Sequence, residues 1–277
     1  MTNPEATAPS PAAPRPAAWP VDWLVPEWPA PANVRALCTT RAGGHSRGVW
    51  GSLNLAAHVG DEAVAVANNR AVLRDHLPRA PVWLAQVHGV RVIDPAMLDP
   101  AAPPPEADAA HTRQPGSPCA VLTADCLPIL LCAGRRGGMT TAGAATEVAA
   151  IHAGWRGLAD GVIEATAAAM QTPPQDWLAW IGPCIGPAAF ECGEEVLEAF
   201  CRDRPEVHAA FRPHPAQAGR WLGDLPAIAR QRLAALGVPA AAVYGGDVCT
   251  VSDPARFYSF RRDGLSGRMA SLIWLAG

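Results

Sequence analysis

The chain contains no lysine; all 22 of its basic residues are arginine. A Schiff-base enzyme, a phosphate-loop NTPase and a lysine-dependent kinase each need a side-chain amine, so all three classes are excluded. Recognition of any phosphate or oxyanion must fall to arginine, backbone amides or hydroxyls. Charge is sparse as well: 17% of residues are charged and the net charge is −3, which gives no basic face for nucleic acid. No apolar run approaches the length that spans a bilayer, so no membrane partner is expected. CxxC pairs are missing, which removes zinc ribbons and thioredoxin-like motifs. Paired HxH motifs are missing too, so the trinuclear cluster of a true multicopper oxidase has no ligands here.

What is present is a large apolar fraction, 49% over 277 residues, enough to bury a sizeable core. Residues 1–20 are rich in Pro and Ala and read as a disordered tail; 21–277 read as a single domain. Strand candidates at 34–41, 82–87, 90–94, 119–125, 127–132, 148–154 and 177–182 alternate with helical patterns at 62–77, 157–170, 194–203 and 225–237. Residues 257–264 and 269–276 read as further strands, and 135–147 as an exposed loop. The alternation predicts an α/β (α+β) domain with a central mixed β-sheet flanked by helices. Residues 1–19 lack the apolar core of an export signal, and several of the eight cysteines sit inside apolar runs. The thiols are therefore expected to be free in a reducing cytoplasm.

Three segments carry the chemistry. QVHG at 86–89, TADCLP at 123–128 and IHAGWRG at 151–157 place His88, Cys126 and His152 at the polar ends of apolar, strand-like runs. Buried strands deliver such ends to one edge of a sheet, where sites are built. Two imidazoles and a thiolate form a donor set for zinc, with copper as an alternative, in the three-protein-ligand pattern of a catalytic site. Gln86 and Asp125 neighbour two of these ligands and read equally well as their supporting groups or as ordinary backbone-bonding residues. His58 and His111 are further possible members, although solvated loop positions explain them as well.

The runs TTRAGGHSRGVWGSLNLAAHVGD, WLAQVHG, AVLTADCLP, IHAGWRGLADGVIEAT, WIGPCIGP and FYSFRRDG followed by LSGRMASLIWL resemble the laccase-domain family over roughly residues 34–275. That family is also known as multicopper polyphenol oxidase, bacterial purine nucleoside phosphorylase and cytoplasmic peptidoglycan editing factor. The resemblance implies His88, Cys126 and His152 as metal ligands, a cytoplasmic enzyme, and phosphorolysis of adenosine or inosine to free base and ribose 1-phosphate. Adenosine deaminase, methylthioadenosine phosphorylase and polyphenol oxidase activities are also implied. Position 45 departs from the family's glycine loop by carrying histidine, His45.

For phosphorolysis the expected catalytic residues are Cys126, His152 and Arg41, with Arg41 at the edge of the glycine loop as the phosphate or ribose contact. Arg156 is second choice, because the helix dipole disfavours a cation near a helix start and so leaves it for a ligand. Amides around Gly43 and Gly44, with Ser52 and Asn54, are expected to add donors in an anion-binding nest. Unrelated zinc deaminases use a glutamate proton shuttle in an HxE context, which this chain lacks. The alternative from a different class is a metal-free hydrolase or amidase, acting on a peptidoglycan precursor, with Cys126 as nucleophile and His152 as its base. Nothing in the chain signals an oligomeric state.

Overall fold

Strands that are apolar without alternation must be covered on both faces, and the longest such runs here sit side by side in the middle of the molecule. The computed structural model describes residues 19–20, 22–133, 135–136, 139–140 and 144–277; residues 1–18, which hold most of the Pro/Ala-rich tail, lie outside them. Its main sheet has six strands. In chain order they are β1 (Val92–Ile93), β2 (Ala109–Thr112), β3 (Leu127–Ala133), β4 (Val148–Ala153), β5 (Trp177–Ile181) and β6 (Val243–Gly245). Their spatial order is β6-β5-β3-β4-β2-β1, with β5/β6 and β1/β2 parallel and the other pairs antiparallel, so the sheet is mixed as expected. Every residue of β3, β4 and β5 is buried.

A second, three-stranded antiparallel sheet runs Val34–Cys38, Met269–Leu275, Cys119–Thr123 in spatial order. Its last two strands pack against β4 and β3, and one core cluster runs from Trp28 to Leu275 through both sheets. Helices α1 (Ala63–Arg74), α2 (Trp155–Asp160), α3 (Val162–Ala169), α4 (Glu194–Cys201) and α5 (Leu225–Ala235) answer the four helical patterns. The pattern at 157–170 is two helices because Gly161 turns left-handed (φ 99°) between them.

Three expectations are corrected. Residues 82–87 form no strand beyond a bridge from Ala85 to Glu106; the Gln86 amide instead bonds both backbone groups of Leu122, taking the place of a ladder. Residues 257–264 are not a strand: Ser259 caps a single turn, α6 (Phe260–Asp263), accepting from the Arg262 N–H at 3.1 Å. Within the expected 135–147 loop, Arg135–Arg136 pairs antiparallel with Met139–Thr140. A small antiparallel sheet of Glu191–Gly193, Arg220–Gly223 and Phe211–Pro213 was not foreseen, since strands of three or four residues leave little periodicity to read.

Candidate metal centre

β4 ends where β3 begins, with His152 paired to Pro128, so Cys126 lies just before the same sheet edge, and the 86–89 turn folds over it. This brings His88, Cys126 and His152 together, with one ligand atom of each within 4.8 Å of the others. Cys126 Sγ lies 3.6 Å from His88 Nε2, and the two imidazole rings meet edge to face at 4.9 Å between centroids. No other group of three or more potential ligands occurs among the described residues.

Asp108 organises this edge. Fully buried just before β2, it accepts from His152 Nδ1 at 2.7 Å, which leaves the other ring nitrogen, Nε2, to face the site. Its carboxylate also accepts the backbone N–H groups of Val87, His88 and Gly89 at 3.2, 2.9 and 2.7 Å. That clamp over-determines a left-handed backbone at His88 (φ 61°), a conformation that costs of order 1–3 kcal/mol for a non-glycine residue. The glycines of HAGWRG leave room here: a Cβ on Gly154 would clash with His88 Cδ2, and one on Gly157 would meet the Gly89 carbonyl at 2.7 Å.

Burial opposes ionisation of the Cys126 thiol, but the charge of His152 and hydrogen bonds from His152 and His88 outweigh it and pull its pKa down. Burial likewise opposes protonation of His152, and the Cys126 and Asp108 anions outweigh that and push its pKa up. A thiol already biased to thiolate, beside two oriented imidazoles, is the donor chemistry of zinc or copper, so these residues fit such an ion.

The three ligands line a cleft of about 260 Å³. Gln86, Leu122, Thr123 and Ala124 form part of its wall, and His58, Phe260 and Arg268 complete it. Of these, His58 and Gln86 were candidates from the sequence. Phe260 and Arg268 were missed, as was Asp108, and the only signal was polarity or aromaticity next to apolar strands. Arg268 is partly buried, its side-chain hydrogen bonds all run through Nη1 to Ser266 and Gly267, and its guanidinium is 5.8 Å from the Phe260 ring centroid.

The remaining candidates lie elsewhere. Arg41 is not in the cleft; it donates to the Gly51 and Pro254 carbonyls at 2.9 and 3.0 Å and sits over Tyr258. In the glycine loop, Ser52 Oγ accepts from Gly44 N–H and donates to the Arg41 carbonyl, and buried Asn54 bonds Ala56, Asp61 and Arg268 N–H. Gly43 and Gly44 belong to the same turn and, like Ser52 and Asn54, do not line the cleft. Arg156 is exposed, with its guanidinium over the neighbouring Trp155 ring. The Asp125 carboxylate bonds none of the three ligand side chains; it accepts from the Thr250 and Ser259 hydroxyls and Arg261 N–H. His111 pairs with Glu147 at the other end of β2.

The model of the multi-copper polyphenol oxidoreductase laccase family matches residues 35–276. A Pseudomonas aeruginosa protein named purine nucleoside phosphorylase is 51% identical over 253 residues, covering 91% of this chain and 98% of that one. Its Escherichia coli counterpart of the same name, YfiH, is 48% identical over 254 residues, covering 91% and 98%. A crystal structure of a Neisseria meningitidis protein superposes with a TM-score of 0.83 at 47% identity, covering 92% of this chain and all of that one. No helix among the described residues is long and apolar enough to cross a membrane. With a sequence match over nearly its whole length and the same fold as a solved relative, the chain belongs to the multi-copper polyphenol oxidoreductase laccase family.

Proposed function

We propose that the protein is a metal-dependent purine nucleoside phosphorylase, converting adenosine or inosine and phosphate to free base and ribose 1-phosphate. The observation that carries this reading is a cleft holding both a His-Cys-His donor set and a partly buried arginine, in a chain about half identical to proteins of that name. His88, Cys126 and His152 would hold the ion, zinc or copper. When bound, such an ion supplies Lewis-acid polarisation.

The chain's own residues do the rest. Arg268 offers a fixed guanidinium to the phosphate, in the part that sequence reasoning gave to Arg41. In the reaction a phosphate oxygen bonds to the ribose anomeric carbon as the glycosidic bond breaks, and the base leaves with its electron pair and a proton. His58, which lines the same cleft, would relay that proton. Deamination and methylthioadenosine cleavage would use the same cleft. One mononuclear ion cannot support four-electron oxygen reduction, so a true laccase reaction is not part of this reading.

The test is ribose 1-phosphate release from inosine with and without phosphate, beside elemental analysis of the purified protein. Product that requires phosphate and is lost on chelation supports the reading; hydrolysis to free ribose regardless of phosphate overturns it. Arg268→Ala should raise the KM for phosphate about tenfold, which corresponds to about 1.4 kcal/mol.

One observation favours a second reading. Cys126, His152 and Asp108 form a chain in which the carboxylate orients the imidazole and the imidazole faces the sulfur, as in a cysteine hydrolase. Cys126 would add to an amide carbonyl, His152 would protonate the departing amine, and water would cleave the thioester. Activity that survives chelator and is destroyed by a thiol alkylator selects this reading over the first.

A further inference from the structure

The cleft is chemically mixed. Beside the ligands its wall presents Leu122, Ala124 and the ring of Phe260, with the Arg268 guanidinium 5.8 Å from that ring's centroid. Phe260 is 57% exposed, and aromatic rings in the wall of a cleft are typical of small-molecule sites. It is also held firmly. Ser259 and Arg261, the residues on either side of it, both donate to one oxygen of Asp125, at 3.0 and 2.7 Å. Asp125 immediately precedes the ligand Cys126, so a single carboxylate ties the ring's backbone to the metal centre.

Thr123 lines the same cleft from the strand that leads to Cys126, and its Oγ1 is buried with no hydrogen-bond partner. Of the six such side-chain atoms among the described residues it alone belongs to a residue lining this cleft, and a buried hydroxyl without a partner costs of order 1–3 kcal/mol. A ligand's polar edge would remove that cost.

We propose that Phe260 is the platform on which the purine base stacks and that the Thr123 hydroxyl addresses the base's edge; this rests on the phosphorylase reading. Stacking on an aromatic ring is indifferent to base identity, because every base has a π-face. A hydroxyl can donate to the oxygen of hypoxanthine or accept from the amino group of adenine. The pair therefore predicts tolerance for both purines, with the ring supplying affinity and the hydroxyl orientation.

The test measures equilibrium binding of hypoxanthine and of adenine to the metal-loaded full chain, which needs no turnover, together with the KM values for inosine and phosphate. Phe260→Ala should weaken both bases about tenfold or more and raise the inosine KM in parallel, given the usual strength of base–aromatic stacking. Metal content should stay near that of the parent, and the phosphate KM should rise less than in Arg268→Ala, because Nη1 of Arg268 keeps its bonds to Ser266 and Gly267. Phe260→Tyr should restore binding and Phe260→Leu should not, since planarity is what is used. Thr123→Val should weaken base binding several-fold without lowering the melting temperature, because the hydroxyl it removes has no partner in the protein. Base affinity unchanged in Phe260→Ala, or equal in the Leu and Tyr variants, overturns the platform. A parent protein that binds neither base and makes no ribose 1-phosphate overturns the phosphorylase reading itself.

Discussion

Two histidine–carboxylate pairs clamp the same two antiparallel strands at opposite ends. At one end His152 meets Asp108 at 2.7 Å, and at the other His111 meets Glu147 at 2.9 Å. Both carboxylates are buried, and both accept backbone amides: Asp108 those of 87–89, Glu147 those of Gln171 and Thr172. The difference is what the histidine meets next. His152 turns toward Cys126 and His88 inside a cleft, whereas His111 belongs to no ligand group among the described residues. A histidine held by a carboxylate is thus not itself a site. It becomes one where other strand ends deliver further donors to the same point.

The comparison breaks most sharply at the ligands. Cys126→Ala and His88→Ala should each reduce the metal content of purified protein to background while leaving a folded chain, because neither side chain is part of the sheet core. Elemental analysis reads this directly, and full metal occupancy in either variant would remove the three-ligand assignment.

At the far end the effect should fall on stability alone. Burial by itself would raise the Glu147 carboxyl, but the hydrogen bond from His111 and those from Thr172 and Gln171 outweigh it and hold its pKa at about 2, against an ordinary 4.5. A carboxyl depressed on folding contributes stability that is present above its ordinary pKa and is lost as pH falls from 4.5 toward 2. Glu147→Gln should therefore cost up to about 3 kcal/mol at neutral pH, by the conversion of pKa shift to free energy. It should also flatten the acid limb of the stability curve between those pH values, with metal content unchanged. Denaturant titrations at pH 7 and pH 3 measure both, and an unaltered acid limb would show that Glu147 is not the group responsible.

Asp108→Asn sits between these cases. The amide cannot accept from every donor that the carboxylate serves, so the tautomer of His152 and the turn carrying His88 both lose definition. Supporting groups of this kind typically cost 10–100-fold in metal affinity when altered. Chelator competition should find a loss of about that size, and a change under twofold would mean that the two ends of the strands are equivalent after all.

The legible part of the molecule was the part written in continuous apolar runs. Residues 119–123, 127–133, 148–153 and 269–275 read as buried strands because nothing in them alternates, and their polar ends marked Cys126 and His152. Asp108 was illegible because its role depends on register: strand pairing sets it opposite His152, and a separate turn brings the 87–89 amides to it. Phe260 misled for a related reason. FYSF has strand-like composition, yet the Ser259 cap and the distant Asp125 carboxylate convert it to a helical turn at the cleft. The glycine loop failed in the opposite sense, since its many polar groups read as free for a ligand when they are in fact bonded to one another.

Arg41 tests that last point and should give the smallest effect. Its guanidinium joins residue 51 to residue 254 through two carbonyls and covers the Tyr258 ring, so it fastens the glycine loop to the segment before α6. Arg41→Ala should cost about 1 kcal/mol of stability, the usual net worth of such hydrogen bonds. The phosphate KM should stay within about threefold of the parent, against the tenfold rise expected for Arg268→Ala. A rise in Arg41→Ala as large as that in Arg268→Ala would mean that the loop opens to reach the ligand. The bonds that now satisfy its polar groups would then belong to a resting arrangement, and the anion site would extend from the cleft to the glycine turn.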